Sequence, residues 1–199
     1  MATVTDWYKN YTFGRPPWQS LAMAWEVVHL FASVGKVRYD IETVQDYFRF
    51  GTILVACDYR GRVAGALTVG LLSSWDTIQY REHIPRLMTD PCTLELVDLA
   101  IMPTHRGHGL ASGLLRYGLS KFRMPDDKVY KRYITTSRVP PRGKPTSLGI
   151  LKRMEFEEIS VVEGLYAACN REDDFCCPDC DGDVGNVCEC KGHFLMLRR

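Results

Sequence analysis

The chain has 199 residues, 46% of them hydrophobic, with a formal net charge of +1. That length suits one domain of ordinary size plus an appendage, and it can bury a substantial core. The charge balance excludes a generally cationic nucleic-acid binder but not a local patch, and no apolar run approaches the ~20 residues of a membrane helix. The opening MATVTDWYKNYT lacks the apolar core of a signal peptide, so a soluble, cytoplasmic protein is expected.

Residues 1–16 leave room for one short strand. Trp18–Phe31 sets Leu21, Trp25, Val28 and Phe31 at helical spacing. Asp40 is the expected N-cap of a second helix to Phe50, with Val44, Tyr47 and Phe48 inward. Thr52–Asp58 and Val63–Leu72 are apolar runs on either side of the turn Tyr59–Arg62, which predicts a hairpin. Ser73–Pro91 is long, polar and without clear period, with Trp75, Tyr80, His83 and Pro85. Such a stretch either contacts substrate or is a surface excursion.

Thr93–Ile101 follows as a strand carrying Glu95 and Asp98. After it comes the glycine turn Thr104–Ala111, then a helix to about Phe122 with Leu114, Leu115 and Leu119 on one side. Val129–Val139 predicts the next strand. Thr146 or Ser147 is expected to cap a helix to about Met154. Phe156–Val162 then reads as a strand, with Leu165–Cys169 as its hairpin partner.

The chemistry concentrates between Thr93 and Ser120. Strand, glycine turn and helix start together bind phosphate, because the first N–H groups of a helix have no internal partner. Gly107 and Gly109 let the backbone reach an anion without a Cβ in the way. Arg106-Gly-His-Gly109-Leu-Ala111 resembles the Arg/Gln-x-x-Gly-x-Gly/Ala signature of the GCN5-related N-acetyltransferase (GNAT) superfamily, and Asp98–Pro103 resembles its preceding strand. The resemblance covers roughly residues 15–165.

The resemblance implies an α/β fold with a mixed central sheet, splayed in the middle and flanked by helices, and acetyl-CoA as cosubstrate. It further implies that backbone groups of Arg106, Gly107, His108, Gly109, Leu110 and Ala111 hold the pyrophosphate. Backbone at Leu99 and Ile101 would pair with the pantetheine arm. A strand glutamate at about the offset of Glu95 serves some relatives as general base, so Glu95 is the preferred base, acting directly or through water. Asp98 supports it. Both acids could equally be salt-bridged strand residues. His105 and His108 read as exposed loop histidines that lend backbone only.

This sequence departs from the pattern at the last helix. Leu151 stands where many relatives carry the tyrosine that protonates the leaving thiolate, and Glu155-Phe156 replaces Gly-Phe. Tyr130 and Tyr133 are nearby, as acids or as core. A thiolate of pKa ~8.5 can also leave unassisted. The reading is therefore an N-acetyltransferase acting by direct attack of an amine in a ternary complex. The acceptor, protein or small molecule, is open, as is the oligomeric state. The rival reading is a catalytically silent module of this fold that recruits a partner.

Two further features remain. Lys128, Lys131, Arg132, Arg138, Arg142 and Lys144 form a basic stretch with no acid within it. It suits a coenzyme phosphate, an acidic protein or nucleic acid, or a solvated face. Nucleic acid is the less favoured partner. Residues 170–199 are expected to be a separate zinc-ribbon-like tail after a catalytic domain of residues 1–169. Cys177, Cys180, Cys190 and His193 are its expected structural zinc ligands, with Cys188 as substitute. Phe194–Leu197 is expected to pack on the domain or to pair as an edge strand.

Overall fold

A computed structural model of the chain describes residues 10–17, 19–34, 39–71, 92–124, 128–139, 146–164 and 190–199. The segment Ser73–Pro91, the strand expected at Leu165–Cys169, Arg142, Lys144, Cys177, Cys180 and Cys188 lie outside the described residues. From the first helix to the strand Glu157–Glu163 the elements follow the predicted order. They are β1 (Thr12–Gly14), α1 (Leu21–Ser33), α2 (Ile41–Phe50), β2 (Ile53–Cys57), β3 (Val63–Leu71), β4 (Thr93–Ile101), α3 (Leu110–Lys121), β5 (Arg132–Val139), α4 (Leu148–Arg153), β6 (Glu157–Glu163) and β7 (Lys191–Arg198). The strands form a mixed sheet with hydrogen-bonded neighbours in the order β1-β2-β3-β4-β5-β7-β6. The chain divides into two compact units, one of Met1–Gly70 and Leu96–Val129, the other of Leu71–Glu95 and Tyr130–Arg199.

In the first unit, α1 and α2 pack with β2 and β3. The buried face of α1 is Ala24, Val27, Leu30 and Phe31, which corrects the expected stripe, since Leu21 and Trp25 are exposed. Val27, Leu30, Phe31, Val44, Ile53 and Ala66 share one core. Asp40 caps α2 as expected, its Oδ1 accepting from the Thr43 N–H at 2.8 Å, and that bond holds its carboxyl below the usual range. The β2–β3 hairpin closes over Asp58, whose Oδ1 accepts from the N–H groups of Arg60 and Arg62 at 2.8 and 3.0 Å. Glu26 on α1 accepts from the Val63 N–H at 2.7 Å and ties the helix to the start of β3.

One contact in this unit is tight enough to predict a large effect. A Cβ on Gly65 would lie 2.6 Å from Ile101 Cδ1 and 3.2 Å from the Ala100 carbonyl oxygen. The isoleucine tip can turn aside, but the backbone oxygen cannot. Gly65→Val should destabilise the protein by about 1–3 kcal/mol, the usual cost of overpacking. Thermal denaturation checks this, and an unchanged midpoint would refute the contact.

In the second unit the first residues of β4 pair in parallel with β5, Thr93 to Glu95 against Arg132 to Ile134. β5 and β7 pair antiparallel along their whole length, from Arg132↔Arg198 to Val139↔Lys191. β7 also pairs with β6. The C-terminal residues Phe194–Leu197 are thus in an interior strand, which corrects the edge-strand alternative of the expectation above. Phe194, Leu195 and Met196 are buried in succession, and a strand covered on both faces reads as a continuous apolar run. β6 has β7 as its neighbour at the end of the strand order and carries Glu157, Glu158 and Glu163, charges that discourage pairing with another chain. At the start of α4 the cap is shared. Thr146 Oγ1 accepts from the Leu148 N–H at 3.3 Å, while Ser147 occupies the N-cap position and its hydroxyl meets Ser137 at 3.0 Å.

Candidate active site

β4 presents the two acids from one strand. Glu95 and Asp98 are buried, 4% and 7% exposed. They are three residues apart, so strand alternation sends them to opposite faces. Asp98 faces α1 and α2, where the Tyr39 hydroxyl donates to its Oδ2. Tyr39 is itself held by a stack on Phe31, ring centroids 4.2 Å apart, and by a tilted contact with Tyr47 at 5.8 Å. Sequence reasoning missed Tyr39. It lies 59 positions from Asp98, and nothing local marks it as a partner.

The strand hands over to the glycine turn through a fixed path. Met102 N–H donates to the Ala64 carbonyl at 2.9 Å, so the ladder holds just past Ile101. A short 3-10 turn, Pro103–His105, follows. Arg106 folds back, its Nε donating to the Ile101 carbonyl at 3.2 Å. That bond uses one of the five guanidinium donors. His105 is half-buried, its Nδ1 2.9 Å from the Tyr11 hydroxyl and its ring edge-on to that tyrosine. The expectation of an exposed histidine is corrected there, whereas His108 is exposed as expected.

Gly107 and Gly109 adopt φ of +80° and +74°. Side chains with a Cβ pay roughly 1–2 kcal/mol in this left-handed region, so the path needs glycine. Gly109 is the N-cap of α3, and no side chain caps that helix. The first internal bond runs from the Gly113 N–H to the Gly109 carbonyl at 3.0 Å. The amides before it are those a helix start leaves for an outside acceptor. A Cβ at Gly107 or Gly109 would meet nothing within 4 Å, so open space lies over both. Leu110 is 1% exposed and packs inward with Leu114 and Leu115, so it offers backbone alone. The positive end of the α3 dipole adds to the pull on an anion.

The two tyrosines considered as proton donors to a leaving thiolate, and the leucine at the usual tyrosine position, prove to be core. Leu151 is buried on α4. Tyr133 is fully buried and Tyr130 nearly so, their rings 6.2 Å apart, and Arg199 stacks over Tyr133. Burial pushes the Tyr130 phenol up, which makes it a weaker acid. Cys57 is also buried, and burial followed by the charges of Glu26 and Asp58 raises its thiol, which argues against an acyl-carrying thiolate.

Of the expected metal ligands, Cys190 and His193 fall among the described residues. Cys190 is buried just before β7, and His193 lies on β7 with its Nδ1 2.7 Å from Glu158 Oε2. Among the described residues no cluster of three or more His, Cys, Asp or Glu could hold a metal ion. His193 instead joins Glu158 and Lys152, whose Nζ is 3.3 Å from the same carboxyl oxygen. The His193 bond, then Lys152, holds the Glu158 carboxyl below its ordinary value. A depressed carboxylate stabilises the fold above its unfolded pKa, and that stabilisation is lost as pH falls through its folded value. Glu158→Gln should therefore lower the thermal midpoint at neutral pH, with the difference shrinking as pH falls below the ordinary glutamate range. A difference that persists in full at low pH would show that shape and not charge is at work.

A glycine turn leading into an uncapped helix start is a geometry suited to receive an anion. Residues 18–137 match the model of the Acetyltransferase (GNAT) family. The chain belongs to that family, and its class is therefore N-acetyltransferase. Its fold is similar to an N-acetyltransferase from Staphylococcus aureus Mu50, at 16% identity and TM-score 0.59, over 95% of this chain and 98% of that one. It is also similar to diaminobutyrate acetyltransferase EctA from Paenibacillus lautus, solved with L-2,4-diaminobutyric acid and coenzyme A, at 19% identity and TM-score 0.54, over 94% and 93%. NAA60 from Arabidopsis thaliana, solved with a bisubstrate analogue, gives 13% identity and TM-score 0.62 over 94% and 97%. At these identities the likeness speaks for the fold. No curated protein sequence matches the chain. Among the described residues no helix is long and apolar enough to cross a membrane.

Proposed function

We propose that the protein moves the acetyl group of acetyl-CoA to an amine by direct attack within a ternary complex. The observation that carries this reading is the pair of left-handed glycines at the uncapped start of α3, with open space above them. The amides of Arg106–Ala111 hold the pyrophosphate, and backbone at Leu99 and Ile101 orients the pantetheine arm. Holding the thioester in place removes much of the entropic barrier to attack. An ammonium has no lone pair, so the acceptor must lose a proton before it attacks. Glu95 takes that proton, directly or through water, and Asp98, held by Tyr39, supports it. A backbone N–H on β4 polarises the acetyl carbonyl and stabilises the oxyanion.

The acceptor is a primary amine of a peptide or a small molecule. Both kinds of ligand occur in structures of similar fold, as a Gag peptide in the NatC complex and as diaminobutyric acid in EctA.

Calorimetry with acetyl-CoA, followed by thiol release with a panel of peptide N-termini, lysine peptides and diamines, tests the proposal. Saturable binding and thiol release with one acceptor class are expected. No affinity for acetyl-CoA would overturn the reading. Affinity without transfer to any amine would favour the silent module instead.

A further inference from the structure

The far end of α3 carries a second basic recess. Arg15, Leu54, Tyr117, Lys121, Arg123 and Met124 line a cavity of about 460 Å³. Its three cations come from three segments: the N-terminal stretch, the last turn of α3, and the residues just after that helix. The α3 C-terminus accounts for one cation, Lys121, through its dipole. It does not account for the other two.

Aromatic rings, and not carboxylates, place these charges. The Arg15 guanidinium lies 5.9 Å from the Phe122 ring centroid, and the Lys121 ammonium 5.5 Å from that of Tyr117. Tyr117 is fixed in turn by a stack on Phe13, centroids 5.5 Å apart. Arg123 is pinned through its backbone by an antiparallel bridge to Val129. Leu54, 1% exposed, forms the floor. Among the described residues none of the three cations has a carboxylate partner, and no carboxylate lines the cavity. Three like charges around one recess repel one another, and a bound oligoanion removes that repulsion. Guanidinium forks match phosphate oxygens two at a time.

We propose that this recess is a second anion site, taking a small ligand with two or more adjacent phosphate groups. It is distinct from the glycine loop. Twelve helical residues separate Gly109 from the end of α3, a span of about 18 Å at 1.5 Å per residue. The proposal stands apart from the acetyl-transfer reading.

Tripolyphosphate titrated by calorimetry into the full chain saturated with coenzyme A tests it, because coenzyme A then fills the glycine loop. One binding event per chain is expected, weakening as salt rises. Lys121→Gln combined with Arg123→Gln should weaken it at least tenfold, and Arg15→Gln alone should weaken it measurably. Arg116→Gln, an exposed cation of α3 outside the recess, should leave it unchanged. No binding beside coenzyme A, or undiminished binding in both recess variants, would overturn the site. Should coenzyme A itself fail to bind, the same titration without it decides. Tripolyphosphate binding lost in the recess variants supports the second site, and binding retained in them rejects it.

Discussion

Gly109→Val should raise the dissociation constant for coenzyme A by roughly ten- to a hundredfold, since each 1.4 kcal/mol is worth tenfold. Two effects combine. Gly109 holds φ of +74°, where a β-branched side chain is strained by about 1–2 kcal/mol, so the loop relaxes and turns its amides away. Where the loop does hold its path, the new Cβ stands in the space that the phosphate needs. That space is open in the free protein, with nothing within 4 Å, so the folded state meets no clash. The loss of stability is then only the backbone strain, a few degrees of thermal midpoint for a chain of this size. Gly107→Val should behave in the same way from φ of +80°. Binding calorimetry beside a melting curve separates the two effects. A coenzyme A affinity within twofold of the parent would take the glycine loop out of the site.

Glu95→Gln should lower kcat/KM for the best acceptor by about 10²–10⁴, the usual contribution of a positioned general base. Glutamine keeps the shape and removes the proton acceptor. Coenzyme A affinity should stay put, because the loop is untouched, and this isolates the chemical step from cofactor binding. Asp98→Asn should cost about tenfold less, consistent with an acid that already accepts from the Tyr39 hydroxyl and acts in support. Steady-state kinetics at saturating acetyl-CoA measure both. Equal rates for the parent and Glu95→Gln would reject the base assignment. A larger loss at Asp98 than at Glu95 would exchange their roles.

The amino-acid order determined whatever depends on neighbours along the chain. The helix at Leu21–Ser33, the Val44–Phe48 spacing, the Asp40 cap, the turn at Tyr59–Arg62 and the glycine loop at Arg106–Ala111 could be read directly, because helix period, capping and left-handed turns act over a few residues. Which face of the first helix is buried could not, since Ala24, Val27, Leu30 and Phe31 face the core while Leu21 and Trp25 are exposed. The tertiary structure alone decided what depends on distant partners. It put β7 between β5 and β6, set Tyr39 against Asp98 and Tyr11 against His105, bound His193 to Glu158, and gathered Arg15, Lys121 and Arg123 around one recess. A strand's apolar run says that it is buried but not which strands flank it. A charge on the sequence says nothing of whether another segment brings it a carboxylate, a ring or a second charge.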